Sequence, residues 1–284
     1  MTLTTHVKIA LCLFAISTTL LVPCLQAGEE NECVTRYEHG QVNWSTGTVL
    51  ATGKASPLEK GISESPDAIL EKTKLDARRN LIEILNRIAF DQGSETSPPP
   101  GDTLMAGIEK LAMDATIAEQ HFTSDRAMEV TLEAKMFGGF LQLVLPEKIG
   151  EIPPLKILPP GDDHPKPSDQ KKYTGLIIDA RGLGIQPVIY PVIVSEQGNE
   201  IYSARFISRE YAVQGGVCQF ACTPTLPLVT EKTGPNPLII RGLRKGGKTN
   251  RLIVISKSDA ETIEKTAERH GFMKECRVVI VLDR

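Results

Sequence analysis

Two stretches of this chain are spelled like phosphate chemistry. Gly242-Leu-Arg-Lys-Gly-Gly247-Lys248-Thr249 fits the P-loop pattern letter for letter, and Val278-Val-Ile-Val-Leu-Asp283 is an apolar run ending in a carboxylate of the kind that holds magnesium. A P-loop works because a helix begins at its Lys-Thr pair and aims backbone N–H groups and a dipole at the phosphate. Here Thr249 is followed by Asn-Arg-Leu-Ile-Val-Ile255, a β-branched, strand-like run, and the C-terminus comes too soon for a nucleotide-binding parallel sheet. The stretch therefore reads as a basic, glycine-rich turn between two strands, and nucleotide binding is not expected.

Other chemistry-bearing residues do not assemble by spacing. Glu129 and Glu133, four residues apart, share one face of an alternating run, the ordinary pattern of a solvated strand face rather than an acid–base pair. His39, His121, His164 and His270 are scattered without ligand spacing, and neither Gly-x-Ser-x-Gly nor His-Glu-x-x-His occurs. Cys33, Cys218, Cys222 and Cys276 lie beyond the N-terminal apolar stretch. Cys218-Gln-Phe-Ala-Cys222 is close enough to suggest a local disulfide, with buried free thiols and metal ligation as alternatives. As a zinc site it lacks the second ligand pair. No catalytic, cofactor-binding or metal-binding residue is assigned, and no cofactor is expected.

The N-terminus carries its own signal. Lys8 precedes the apolar run Ile9–Val22, Pro23 breaks it, and Leu25-Gln-Ala27 ends in a small residue before Gly28-Glu-Glu-Asn-Glu32. That is the layout of a cleaved signal peptide over residues 1–27, and the run is too short to span a bilayer comfortably. Cys24 stands where a lipoprotein signal would need a cysteine, but Pro23 precedes it in place of a small residue, which disfavours a lipid anchor. The expected location is the periplasm or outer envelope, without a transmembrane span in the mature chain.

Composition is that of a globular protein: 41% hydrophobic and 24% charged residues, with a formal net charge of −3. The acidic balance excludes a general nucleic-acid binder, which needs a basic surface. Periodicity then places the elements. A hairpin turning at Ser45-Thr-Gly47 precedes a helix that opens at Ser65-Pro-Asp67 and runs to about Phe90, with Ala77, Leu81, Ile84, Leu85 and Ile88 on one face. A second helix over 103–112 and a strand over 128–136 complete a unit at 28–149. Residues 150–172, with six prolines and many charges, form a linker. Beyond it, strands are expected over 173–179, 187–194, 200–202, 237–240, 251–256 and 276–282. A capping box at Ser258-Asp-Ala-Glu261 should open the last helix, which ends near Gly271. The fold class is α+β, with two domains at 28–149 and 173–284, each a small mixed or antiparallel sheet packed with one or two helices.

At Val42-Asn-Trp44-Ser-Thr-Gly47, Ala51-Thr-Gly53 and Asp76-Ala-Arg-Arg-Asn-Leu81-Ile-Glu-Ile84 the chain resembles the bacterial twenty-kilodalton envelope lipoprotein family and the N-terminal domain of flagellar assembly protein T. The resemblance covers about residues 40–140. It implies a small α+β envelope module used in assemblies and brings no catalytic residues with it. The resulting expectation is a non-enzymatic envelope protein acting through contacts with other, unidentified envelope proteins. A secreted enzyme or small-ligand carrier is the alternative.

Overall fold

Alternating burial creates the first sheet. In the computed structural model, which describes residues 32–56, 58–59, 62–63, 65–90, 101–145, 173–247 and 251–284, strands β1 (Val34–Tyr37), β2 (Gly40–Asn43) and β3 (Thr48–Ala55) form a meander. A two-stranded ribbon, β4 (Leu58–Glu59) with β5 (Ile62–Ser63), follows, and then helix α1 (Pro66–Phe90). After α2 (Asp102–Met113) the chain adds β6 (Thr116–Phe122) and β7 (Met128–Lys135). The antiparallel order is β1-β2-β3-β7-β6. Met128, Val130, Leu132 and Ala134 are buried while Glu129, Thr131 and Glu133 are not, as the period-2 pattern requires.

Helix α1 lies on that sheet, chiefly over β3 and β7. Its buried stripe is Ile69, Thr73, Ala77, Leu81, Ile84, Leu85 and Ile88, and the Ser65 hydroxyl accepts the Ala68 N–H at its start. Gly53 permits the close approach: a Cβ there would lie 2.2 Å from Ala77 N and 2.5 Å from Thr73 O. Asn80 locks the register by donating from its side-chain amide to the Thr52 carbonyl at 2.8 Å. A kinked turn over Met136–Phe140, with Gly138 at φ 87°, leads into α3 (Leu141–Val144).

The second half contains two sheets. β8 (Gly175–Asp179), β11 (Gln219–Ala221), β12 (Pro237–Arg241) and β15 (Val278–Val281) form an all-parallel sheet in the order β11-β15-β8-β12; its remaining companions are β9 (Val192–Ser195), β10 (Glu200–Tyr202), β13 (Arg244–Gly246) and β14 (Leu252–Ile255), ordered β10-β9-β14-β13 in a mixed sheet. Every residue of β15 is buried, the signature of a strand covered on both faces. Helices α4 (Arg209–Gly215), α5 (Pro227–Thr233) and α6 (Lys257–His270) complete the half. α5 covers Ile177, Ala221, Val279 and Val281 on one side of the parallel sheet, and the main core covers the other.

Three local expectations shift. The 187–194 run forms a strand only from Val192, because Pro187 and Pro191 lack the N–H a ladder needs. The cap of α6 lies two residues earlier than Ser258: the Ser256 hydroxyl accepts the Asp259 N–H at 3.1 Å and donates to the Asp259 carboxylate at 2.6 Å. The local Cys218–Cys222 disulfide does not form, because β11 separates the two residues. Four residues of extended chain span roughly 13 Å, whereas bridged Cα atoms lie within about 7 Å.

The residues expected to form the signal peptide and the linker, including Cys12, Cys24 and 150–172, lie outside the described residues, as does the break over 93–100. Asn31–Arg284 pack as one unit, and the elements on either side of the linker share a core. Among the described residues no helix is long and apolar enough to cross a membrane.

Candidate functional site

The described part of the P-loop spelling, Gly242–Gly247, contains a strand. Arg244–Gly246 pairs antiparallel with Leu252–Val254, Gly247 turns at φ 67°, and a strand rather than a helix follows. Lys248 and Thr249 lie outside the described residues. Asp283 faces a different loop: both carboxylate oxygens accept the Gly182 N–H, at 2.8 and 2.9 Å. The two strings that resemble a nucleotide site in sequence are thus engaged separately.

That Asp283 contact lies at the carboxyl edge of the parallel sheet, where ligands of open α/β sheets commonly bind. Asp179, at the end of β8, holds Arg181 through both oxygens at 2.8 and 2.6 Å. Those hydrogen bonds from Arg181 hold the Asp179 carboxyl below its ordinary range. Asp179 and Arg181 thus satisfy one another at this edge. Glu129 is similarly engaged, 3.3 Å from both Lys54 Nζ and His121 Nε2, and Glu133 lies 2.5 Å from Lys135 Nζ. Among the described residues no three His, Cys, Asp or Glu side chains gather as metal ligands.

A seam joins the first sheet to the second half. Trp44 packs edge-on against Phe220, centroids 6.0 Å apart, and donates its indole N–H to the Thr35 hydroxyl at 2.9 Å. Buried Ser45 accepts the Cys33 N–H at 2.9 Å and donates to the Phe220 carbonyl at 2.7 Å, while Gln219 donates to the Ser45 carbonyl. A cavity here, lined by Trp44, Phe137, Ile189, Cys218 and Phe220 among others, has a volume of about 20 Å³. Such a space holds about one water molecule, not a drug-sized ligand.

All four described cysteines are buried thiols. Burial pushes Cys33 and Cys218 well above the ordinary thiol value and Cys276 up to about 11. A nucleophilic cysteine needs the opposite shift. Lys232 reaches inward, donating to the Gly215 carbonyl at 2.7 Å, and burial lowers its affinity for the proton.

The remaining unusual feature is β6. It is the edge strand beyond β7, and all seven of its residues are exposed, including Ile117 at 44% and Phe122 at 61%. Helix α1 packs over β3 and β7, leaving β6 bare on both faces. Among the described residues no strand pairs with its outer edge. An uncovered edge offers a row of backbone donors and acceptors to another chain. Sequence reading missed β6, since alternation is visible only when one face is buried.

Comparison with known proteins reaches only the second half. A family model described as Treponema pallidum Tp0624, second domain, matches residues 175–284, from the start of β8 to the C-terminus. That part of the chain is thus similar to a bacterial domain family whose description names no activity. No curated protein matches the sequence.

Proposed function

We propose that this chain is a non-enzymatic protein of the bacterial periplasm or cell envelope that acts by binding other proteins, with β6 as a contact surface. The observation that carries the reading is the exposure of the whole strand Thr116–Phe122 on both faces and along one edge. A strand so placed gains little from its own fold and much from a neighbour that continues the sheet or covers Ile117 and Phe122. The resemblance of residues 40–140 to envelope lipoproteins and to the flagellar assembly module supports the location and the assembly role. The signal-peptide layout of residues 1–27 supports it further.

The test is affinity isolation from envelope extracts of the native host. Wild-type protein should retain a partner that the double variant Ile117→Lys, Phe122→Lys loses while keeping its circular dichroism and melting temperature. Equal retention by both proteins would remove β6 from the proposal.

A further inference from the structure

We propose that Cys33 and Cys222 are the two halves of a disulfide that ties the N-terminal sheet to the parallel sheet. Their sulfurs lie 2.7 Å apart, well inside the contact distance of unbonded sulfur atoms, although the residues are 189 positions apart in sequence. A bonded pair needs only to close to about 2.05 Å.

Both backbones are held in place for this bond. Cys33 immediately precedes β1, donates its N–H to Ser45 Oγ, and accepts the Trp44 N–H on its carbonyl at 2.8 Å. Cys222 immediately follows β11, where the Phe220 carbonyl accepts the same Ser45 hydroxyl and the Ala221 carbonyl accepts the Leu282 N–H. One buried side chain, Ser45, therefore registers the segments that present the two sulfurs. Cys218, at the other end of β11, belongs to a different cluster, with Cys276, Tyr202 and Lys232.

The step balances as an exchange. Two thiols each give up a proton and together two electrons, one S–S bond forms, and a small-molecule or protein disulfide is reduced to two thiols. Burial, which raises the Cys33 thiol above its ordinary value, also shields the closed bond from an attacking thiolate, so it resists exchange. It is a structural tie rather than a reversible switch. The inference does not depend on β6 or on the nature of any partner.

The test begins with purified, reduced full-length chain refolded with oxidised glutathione, alkylated, and digested without reduction. Mass spectrometry should find the Cys33 peptide joined to the peptide bearing Cys218 and Cys222, and the Cys218→Ser variant should keep that link. Cys222→Ser should leave Cys33 alkylated or glutathionylated. Cutting the chain between residues 150 and 172 should leave two fragments that migrate together on a denaturing gel and separate when dithiothreitol is added. A Cys218–Cys222 link, a Cys33 link that survives in Cys222→Ser, or alkylation of both Cys33 and Cys222 after refolding would each overturn the proposal.

Discussion

Replacing Gly53 with alanine should destabilise the protein far more than a single methyl group suggests. The added Cβ would meet three backbone atoms of α1: Ala77 N at 2.2 Å, Thr73 O at 2.5 Å and Ala77 Cα at 2.8 Å. Ordinary contact begins at 3.4 Å, so α1 must lift from β3 by roughly 1 Å. Backbone cannot rotate away as a side-chain tip can, and the lift also stretches the Asn80 bond to Thr52. Overpacking typically costs about 1–3 kcal/mol, and this site belongs at the upper end. For a chain of this size that corresponds to a fall in melting temperature of roughly 5–10 °C. Gly101→Ser is the matched control, since Gly101 caps α2 in extended geometry with open space around its Cβ. It should be neutral or slightly stabilising, because serine is a good N-cap. Calorimetry or urea unfolding of both variants provides the assay. A loss below about 0.5 kcal/mol in Gly53→Ala would mean that α1 does not sit this close to β3 and that the helix–sheet packing is misjudged.

Further tests address the rest of the fold. Leu81→Ala, at a fully buried position of α1, should cost about 2–5 kcal/mol in urea unfolding. Trp44→Ala should cost about 3–5 kcal/mol, and reduced protein cut between residues 150 and 172 should still elute as one species in size exclusion, with Trp44→Ala weakening that association. Stability should fall on the alkaline side. Buried Cys276 ionises near 11 when folded but near 8.5 when unfolded, so its contribution is complete below about 8.5 and is lost as pH rises through about 11. Unfolding measured from pH 7 to 11 with Cys276→Ala as reference checks the sign. Lys248→Ala should leave melting temperature and any partner binding unchanged, and calorimetric ATP binding abolished by that substitution would restore the P-loop reading.

Much of this architecture is legible in the residues. The Ser45-Thr-Gly47 turn, the α1 stripe and the β7 alternation each encode their burial locally, and each forms where the periodicity puts it. α4 and α5, at seven residues each, are too short for a helical period to emerge. The parallel pairing of β8, β11, β12 and β15 is hidden because runs buried on both faces carry no sign of their neighbours. The seam is the least legible part. Ser45 with Phe220 and Cys33 with Cys222 meet across 175 and 189 residues, and no local spacing encodes such a contact. The proximity of Cys218 and Cys222 in sequence points instead to a bond that an extended strand forbids.

The most direct test of the central claim is site-specific photo-crosslinking in living cells, with the reactive residue placed in turn at Ala118 and Gln120 of β6 and at exposed Glu264 of α6 as control. The account predicts an adduct of one defined mass from both β6 positions, absent at Glu264 and lost when Ile117 and Phe122 are changed to lysine. Adducts from Glu264 alone, or none from β6 in protein shown to be folded and exported, would contradict it.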